Sequence, residues 1–293
     1  MEKIGIIGLG NMGMGIAKNI IKAGYATMGY DLRKECLEEI VSHGGEAAES
    51  VSQIGDLCDV VFVMVMNGDQ VKEVVTQLSP GLKDRGTIII TATITPEEVR
   101  AAYSIARASN IRMVDSPVSG GLDGAHEGTL TLMTSADDKT FSDCHDILGA
   151  ISKDIFHVGK NIGDGQTVKA SLQSFIGSTF AAIFESLVLG SKAGIDGKTL
   201  YDVFSSSGVS SPLFKNCAKL IMDRKFENTG SHISTMYKDL GITMDMAKKN
   251  GVPMFTTGAA FELFQAGISM YPGGDNWSIV KVLEKMADTK VEW

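Results

Sequence analysis

The stretch from Lys3 to Asp31 constrains the fold more than any other part of the chain. Lys3 to Gly8 is a nearly continuous apolar run, typical of a parallel strand covered on both faces. It leads into Gly8-Leu9-Gly10-Asn11-Met12-Gly13 and then into a predicted helix from Met14 to Ala23. A second predicted strand, Ala26 to Tyr30, ends at Asp31. This order of elements predicts a dinucleotide-binding unit.

Each glycine of the G-x-G-x-x-G loop has its own expected part. Gly8 allows a tight turn, Gly10 lets the backbone approach a pyrophosphate, and Gly13 lets the helix pack closely on the strand. The helix N-terminus favours phosphate charge, so we expect Asn11 and Met12, in the loop just before the predicted helix, to line the cofactor site as well. The alternative is that these glycines only form the turn of some other strand–helix unit.

Asp31 lies where an acidic side chain binds the ribose hydroxyls of an adenosine. A carboxylate there repels a 2′-phosphate, which predicts NAD as the cofactor. Arg33, two residues later, could accommodate that phosphate. NADP therefore remains an alternative.

Strands and helices continue to alternate up to about residue 160, which is the pattern of a doubly wound α/β sheet. Further strands are predicted at Leu57–Val65, Thr87–Thr91, Arg112–Ser116, Thr129–Thr134 and Ile155–Val158, with helices at Asp69–Leu78 and Pro96–Ser109. Ligands of such sheets bind beyond the carboxyl ends of the strands. The residues predicted there are Val65, Met66, Asn67, Thr93, Ser119, Gly120 and Gly121.

Ser119-Gly120-Gly121 is the second informative loop. Backbone amides without side chains, next to a hydroxyl, form a concave donor surface that suits a carboxylate. The alternative is an ordinary glycine-rich turn, which is common in α/β proteins.

Beyond about residue 162 the strand pattern stops and only helices are predicted. They cover Gly163–Lys192, Gly197–Ser206, Leu213–Asp223, Ile233–Asn250, Pro253–Ala266 and Ser278–Met286. The prediction is therefore a dinucleotide-binding domain at 1–162 and an all-helical substrate and oligomerisation domain at 163–293. No flexible linker separates them, so the long first helix must join the two.

That long helix carries almost no charge, and we expect it to be buried nearly all round. Lys169 and Gln173 are four residues apart, so they share one face of the helix. A polar pair in an apolar setting costs free energy unless something meets it, which suggests a functional pair. The alternative is that Lys169 extends its ammonium group to water from the first turn.

Composition narrows the function further. The formal charge of −8 argues against nucleic-acid and anionic-membrane partners. The N-terminus shows no signal-peptide pattern and the long apolar helix is interrupted by polar residues, so a cytoplasmic protein is expected. The four cysteines form no C-x-x-C pair and are expected to be buried apolar residues. The histidines show no ligand spacing, so no metal site is predicted.

Taken together, these motifs resemble the β-hydroxyacid dehydrogenase family, which includes 3-hydroxyisobutyrate dehydrogenases. The resemblance covers essentially the full length. It rests on four runs in order: Gly8 to Gly13, the D-x-P-V-S-G-G run from Asp115 to Gly121, the G-x-G-x-x-x-K run from Gly163 to Lys169, and Lys238-Asp239-Leu240.

The resemblance implies a role for each matching position. Lys169 would be the catalytic acid/base, Ser119 to Gly121 would hold the substrate carboxylate, and Thr93 and Lys238 would lie near the nicotinamide half of the cofactor. The chemistry agrees, because an amine within hydrogen-bond reach can take the proton of a hydroxyl whose carbon loses a hydride.

This chain departs from the common family pattern in three places. Gln173 replaces an Asn, Val65-Met66 replaces Leu-Pro, and Ala92 replaces a Ser before Thr93. The first two resemble the L-threonate dehydrogenase branch. The longer arm of Gln173 still can orient a substrate hydroxyl, and it favours a bulkier or polyhydroxylated acid.

Three hypotheses remain at this point. The first is an NAD-dependent dehydrogenase of a small anionic hydroxy acid, and the second an NADPH-dependent reductase of small aldehyde acids such as tartronate or succinic semialdehyde. The third is a cofactor-binding module without catalysis, against which Lys169 and Ser119 argue. The apolar helical domain also predicts a homodimer or homotetramer.

Overall fold

The computed structural model describes residues 2–82, 84 and 86–293. The chain divides into two compact units, Met1–Lys169 and Ala170–Trp293. The first combines a sheet with helices and the second is helical. The predicted fold class, a Rossmann-type domain followed by an all-α domain with a long helix linking them, is confirmed.

The first unit is built on a mixed sheet of nine strands among the described residues. They are β1 (Lys3–Ile7), β2 (Ala26–Tyr30), β3 (Glu46–Ala47), β4 (Val60–Val63), β5 (Thr87–Ile90), β6 (Arg112–Asp115), β7 (Val118–Ser119), β8 (Leu130–Ser135) and β9 (Ser152–Gly159). Strands β3-β2-β1-β4-β5-β6 are parallel neighbours in that order. Their carboxyl ends therefore lie along one edge of the sheet.

Strands β6 and β7 form one interrupted strand. Both pair with β8 in the same antiparallel register, seen in the pairs Asp115–Ser135, Val118–Leu132 and Ser119–Thr131. The backbone carbonyl of Pro117, between them, accepts a hydrogen bond from Met133 of β8. β9 runs parallel to β8 on its other side. Ser119 is thus carried on the same strand line as Asp115.

Seven helices connect these strands in the described part of the first unit. They are α1 (Asn11–Lys22), α2 (Lys34–Ser42), α3 (Val51–Leu57), α4 (Gly68–Leu78), α5 (Pro96–Ala108), α6 (Gly121–Glu127) and α7 (Asp138–Gly149). Successive residues of a strand point to opposite faces, so Val61 and Val63 belong to one apolar layer and Phe62 to the other. Burial on both faces explains why the strands read as continuous apolar runs.

The second unit consists of helices around one apolar core. α8 (Asp164–Lys192) begins in the first unit and continues through the second. It is followed by α9 (Gly197–Ser206), α10 (Pro212–Met222), α11 (Ile233–Lys249), α12 (Phe255–Met270), a 3₁₀ turn (Asn276–Ile279) and α13 (Val280–Ala287). Phe184, Phe214 and Phe264 lie in the core together with Trp277.

The expectation that α8 is buried nearly all round is wrong. Phe184 and Leu187 are buried, but Phe175 is 73% and Leu189 72% exposed. These two residues are fourteen apart, about four turns, so they fall on nearly the same side of the helix. By length and composition α8 would also suit a membrane span, a test that core helices of soluble proteins pass as well.

The four cysteines are buried and free, as predicted. Burial raises the pKa of the Cys58 and Cys144 thiols to about 11. The thiolate is the reactive form of cysteine, so these side chains behave as small apolar groups.

Candidate active site

The glycine-rich loop after β1 is shaped by two close contacts. Gly8 has a φ of +89°, and a Cβ there would lie 2.3 Å from the carbonyl oxygen of Met64. A Cβ on Gly13 would lie 1.8 Å from the carbonyl oxygen of Gly8. The tight turn and the close helix–strand packing therefore both require glycine.

Gly10 has a different reason to be glycine. Among the described residues, a Cβ on Gly10 would meet only the Nη2 atom of Arg33, at 3.5 Å. Gly10 is the N-cap of α1 and no side chain caps the helix there. Asn11 is exposed at the helix start, whereas Met12 packs against the apolar layer below. The open space at Gly10 and the helix start together fit the pyrophosphate of a dinucleotide.

Asp31, at the end of β2, is held by two residues. Its Oδ2 accepts hydrogen bonds from the Leu9 N–H at 2.8 Å and from Nη2 of Arg33 at 3.1 Å. Its Oδ1 accepts from the N–H and the Nε of Arg33, both at 3.0 Å. Burial raises the pKa of the Asp31 carboxyl, but the hydrogen bonds outweigh burial and hold it below its ordinary value.

The pairing of Asp31 with Arg33 bears on the cofactor. A carboxylate offers about four acceptor positions, and the four contacts from Leu9 and Arg33 occupy that number. A ribose hydroxyl can therefore bind Asp31 only when Arg33 releases part of it. The Arg33 side chain is 53% exposed, which leaves it room to move.

Strands β4 and β5 end in residues that were predicted to line the cofactor. Val65 is half-buried against the apolar layer, and Met66 is exposed while its N–H donates to Oε1 of Gln70 at 2.9 Å. Thr93 is half-buried between two buried residues, Ala92 and Ile94.

Ser119, Gly120 and Gly121 join β7 to α6. Ser119 is half-buried and the two glycines are exposed. Gly120 has a φ of +127° and Gly121 of +64°, conformations that residues with a side chain rarely adopt. Two glycine amides and a hydroxyl are therefore presented side by side, as a carboxylate site requires. Binding of a carboxylate there stays a prediction.

Lys169 lies in the second turn of α8 and is only 7% exposed. The alternative that its side chain extends into water is therefore wrong. The first turn of α8 is hydrogen-bonded to the end of β6, because the N–H groups of Gly163 and Gln166 donate to Oδ2 of Asp115 at 2.9 and 3.3 Å. These bonds attach the root of α8 to the edge where the other predicted residues lie.

Asp115 and Gln166 were not predicted as functional residues, although both lie inside the motifs that carry the family resemblance. Asp115 is completely buried, and its carboxyl also accepts hydrogen bonds from Ser135 and from the side chain of Gln166. Burial raises the pKa of Asp115 to about 6, although these hydrogen bonds act in the opposite direction. A polar residue at the end of a buried strand was the available signal.

The second unit holds Gln173 and Lys238 through a third residue, Asp239, which was not predicted either. Nε2 of Gln173 donates to Oδ2 of Asp239 at 2.5 Å. Nζ of Lys238 lies 3.1 Å from Oδ1 of the same carboxylate. Asp239 is buried and Lys238 is half-buried, so Lys238 is not a fully solvated surface residue.

Most of the predicted residues belong to the carboxyl edge of the first unit's sheet. They are Gly8, Gly10, Asn11, Met12, Gly13, Asp31, Val65, Met66, Thr93, Ser119, Gly120 and Gly121. Lys169 is attached to that edge through the start of α8, and Gln173 follows it one turn later on the same helix. Lys238 lies on α11 in the second unit, and its contact with a cofactor stays a prediction.

Comparison with known proteins agrees with this arrangement. Residues 3–159 match the NAD-binding domain of 6-phosphogluconate dehydrogenase, and residues 163–283 match the NAD-binding domain described for NADP-dependent 3-hydroxyisobutyrate dehydrogenase. These matches show a nicotinamide dinucleotide as the cofactor and do not distinguish NAD from NADP.

Two curated relatives are similar over nearly their whole length. The 2-(hydroxymethyl)glutarate dehydrogenase of Eubacterium barkeri is 33% identical, covering 99% of this chain and 97% of the relative. The L-threonate dehydrogenase of Cupriavidus necator is 32% identical, covering 96% of both.

Among solved structures, a 3-hydroxyisobutyrate dehydrogenase from Salmonella typhimurium superposes with a TM-score of 0.88 at 28% identity. The superposition covers 96% of this chain and 100% of that one. The predicted family resemblance is thereby confirmed: the chain belongs to the β-hydroxyacid dehydrogenase (3-hydroxyisobutyrate dehydrogenase-like) family and is an NAD(P)-dependent hydroxyacid dehydrogenase.

Proposed function

We propose that this enzyme oxidises the hydroxyl-bearing carbon of a small hydroxy acid, preferring NAD, with Lys169 as the general base. The bound nicotinamide supplies the hydride acceptor. The observation that carries the proposal is the burial of the Lys169 amine on a helix whose root is bonded to Asp115, on the strand line that leads to Ser119.

Lys169 would take the proton that the substrate hydroxyl loses. An amine accepts a proton only in its neutral form, and burial favours the neutral form of an amine. In the reductive direction the same group, as an ammonium, would return the proton to the substrate oxygen. The near-complete burial of Lys169 supports this role over that of a surface charge.

Ser119, Gly120 and Gly121 would hold the substrate carboxylate. The exposed glycines leave their amides unshielded by side chains, and the Ser119 hydroxyl adds a third donor. Fixing the carboxylate positions the adjacent carbinol carbon, which is where orientation contributes to rate.

Gln173 would orient a substrate hydroxyl. Its amide nitrogen donates to Asp239, which leaves the amide oxygen as the end able to accept a hydroxyl hydrogen. We expect the longer arm of Gln173 to favour a bulkier or polyhydroxylated acid. The similarity to an L-threonate dehydrogenase and to a 2-(hydroxymethyl)glutarate dehydrogenase supports that class of substrate.

The preference for NAD follows from Asp31. A carboxylate there accepts ribose hydroxyls and repels a 2′-phosphate. Val65, Met66 and Thr93 at neighbouring strand ends, with Lys238, would line the rest of the cofactor.

The second candidate is an NADPH-dependent reductase of small aldehyde acids. The observation that favours it is Arg33, whose guanidinium group lies beside Asp31 and 3.5 Å from the position of a Cβ on Gly10. An arginine at this place can pair with a 2′-phosphate.

Purified enzyme assayed against a panel of hydroxy acids and aldehyde acids, each with both nicotinamide cofactors, tests the proposal. The expected result is formation of NADH from NAD with a polyhydroxylated or branched hydroxy acid. Faster consumption of NADPH with an aldehyde acid would favour the second candidate, and turnover of no member of the panel would contradict both.

We also propose a homodimer or homotetramer. The exposed Phe175 and Leu189 on α8 are large apolar side chains of the kind that subunit interfaces cover. Light scattering of the purified protein measures the subunit number, and a monomer would contradict this proposal.

A further inference from the structure

Gln166 ties the start of α8 to the loop after β5. Its Nε2 donates to the carbonyl oxygen of Ala92 at 3.0 Å, and its Oε1 accepts from the N–H of Ile94 at 3.1 Å. These two bonds fall on either side of Thr93. The side chain of Gln166 is almost completely buried, so water does not compete for its amide.

Asp115 fixes both the backbone and the side chain of Gln166. Oδ1 of Asp115 accepts from Nε2 of Gln166 at 2.9 Å, while Oδ2 accepts from the N–H of Gln166 and from that of Gly163. Oδ2 also accepts from Oγ of Ser135, which in turn accepts from the N–H of Gly165. One carboxylate thus joins the ends of β6 and β8 to the first turn of α8.

The packing around Gly165 prevents the helix start from turning. A Cβ on Gly165 would lie 2.5 Å from the carbonyl oxygen of Met133 and 2.9 Å from that of Asp115. The second glycine of the G-x-G-x-x-x-K run is therefore explained by a close approach of helix to sheet, without any ligand. The hydrogen bonds and this contact together fix the rotation of α8 about its axis.

The rotation of α8 decides where Lys169 lies. Lys169 is three residues after Gln166, which on a helix is a rotation of roughly 300° and a rise of about 4.5 Å. Asp115 itself is fully buried, and its hydrogen bonds go to backbone and side-chain groups of the chain. It is therefore placed to hold the chain, not to touch a substrate.

We propose that Asp115 and Gln166 are positioning residues that set Lys169 and Thr93 relative to each other at the carboxyl edge of the sheet. This inference rests on the proposed function, in which Lys169 transfers the proton. Ser119 follows Asp115 on the same strand line, so the buried cluster also connects the proposed proton-transfer residue with the proposed carboxylate site.

The kinetic consequence of such a role is specific. Misplacing a proton-transfer group by about 1 Å costs on the order of 100-fold in rate, whereas binding of the cofactor at Gly8 to Gly13 does not depend on α8. Loss of the cluster should lower kcat much more than it changes KM or cofactor affinity, since proton transfer is made in the transition state and, of the proposed cofactor contacts, only Thr93 adjoins Gln166.

Gln166→Met tests this, because methionine keeps the length of the side chain and removes its amide. Thr167→Ala is the matched control: the Thr167 hydroxyl donates to the carbonyl oxygen of Gly163 in the same helical turn, but on the exposed side. Asp115→Asn is the second variant. The NH₂ group of the asparagine amide would face Nε2 of Gln166, so two hydrogen-bond donors would meet where a donor and an acceptor meet now.

The experiment measures kcat and KM, cofactor affinity by tryptophan fluorescence, and the rate at which an acylating reagent labels Lys169, read by mass spectrometry. For Gln166→Met we expect kcat to fall about 10- to 100-fold with KM within about threefold and faster labelling of Lys169. Thr167→Ala should match the wild type. A double variant that combines Asp115→Asn and Gln166→Met should be no slower than the slower single variant, because Asp115 and Gln166 act as one unit.

A Gln166→Met enzyme that is merely less stable, with kcat per folded molecule and labelling of Lys169 both unchanged, would overturn the proposal. If Asp115→Asn does not fold, the Gln166→Met result alone decides. If the wild type turns over no hydroxy acid, the proposed function fails, but the rate of Lys169 labelling still tests whether the cluster positions Lys169. An unchanged labelling rate in Gln166→Met would then overturn the positioning proposal.

Discussion

The ends of β2 and β6 carry the same residue type and use it in opposite ways. Asp31 is partly exposed, its pKa is held below the ordinary value, and the side chain of its partner Arg33 is 53% exposed. Asp115 is fully buried, its pKa is raised to about 6, and its partners are amides and a hydroxyl of the fold. This difference matches the roles proposed for them: the exposed partner of Asp31 can give way to a ligand, whereas Asp115 is held by buried groups of the fold.

The largest difference between Asp31 and Asp115 should appear in the free energy of unfolding when each carboxylate is removed. Asp115→Ala leaves buried donors of Gly163, Gln166 and Ser135 without an acceptor. An unsatisfied buried donor costs about 1–3 kcal/mol, so we expect a loss of roughly 3 kcal/mol or more in the free energy of unfolding. Asp31→Ala should cost well under about 1 kcal/mol. Urea unfolding of both variants measures the contrast, and equal losses would remove it.

The pH dependence of stability should show the buried carboxyl directly. The folded pKa of Asp115 is about 6 against 3.8 for the unfolded chain, so the folded state binds more protons between these values. The contribution of Asp115 is therefore most favourable at low pH and declines as pH rises through 6. Relative to Asp115→Asn, the free energy of unfolding should fall by roughly 2 kcal/mol from about pH 4 to pH 7.

A parallel pair of pH curves for the wild type and Asp115→Asn would contradict that assignment. Asp31→Ala provides the contrast in the same measurement. The pKa of the Asp31 carboxyl is lowered, so this group adds a small amount of stability as pH rises, and Asp31→Ala should lose that gain. The pH dependence contributed by Asp31 therefore has the opposite sign to that contributed by Asp115.

Cofactor choice should respond to the β2 end and not to the β6 end. Asp31→Ala removes the acceptor for ribose hydroxyls and the repulsion of a 2′-phosphate. We expect the ratio of kcat/KM for NADP to that for NAD to rise about tenfold, which corresponds to about 1.4 kcal/mol. Glu35→Ala, which removes a nearby exposed carboxylate, is the control and should leave the ratio alone.

The smallest expected effect concerns Arg33. Arg33→Ala removes the two side-chain contacts on Asp31, from Nε and Nη2, and the cation that could meet a 2′-phosphate, while the backbone N–H of residue 33 still donates to Asp31. The same ratio should fall by about two- to fivefold, roughly the value of one exposed ionic contact. Exposing Asp31 and losing the cation both lower this ratio, so a rise in the ratio would contradict both roles of Arg33.

Much of the first unit could be predicted from sequence because its strands are short apolar runs set between turn signals. β2 was predicted with its observed ends, and α5 to within one residue. Four helices of the first unit, α2, α3, α6 and α7, were not predicted. The helices α3 and α6 have seven residues each and little periodicity, and α2 and α7 were overlooked between predicted strands. The strand predicted at Leu57–Val65 is observed only at Val60–Val63, and its predicted first residue, Leu57, is the last residue of α3.

The site was predictable where function is local in sequence and not where it depends on pairing across the chain. Lys169 stood out as a charge in an apolar helix, and its burial agrees with that expectation. The bond between Gln173 and Asp239 joins residues 66 positions apart, and that between Gln166 and Ala92 joins residues 74 apart. Neither pairing leaves a pattern in a single sequence. The exposed side of α8 was missed because apolar composition does not distinguish a helix face in the core from an exposed one.

The central claim is that the amine of Lys169 moves the proton, and the Lys169→Ala enzyme tests it most directly when turnover and NAD affinity are measured on one preparation. Lys192→Ala, at the opposite end of α8 where the ammonium donates to the carbonyl oxygen of Asp288, serves as the control. We predict that kcat of the Lys169→Ala enzyme falls by about 100-fold or more while NAD still binds. Turnover close to that of the wild type would contradict the account.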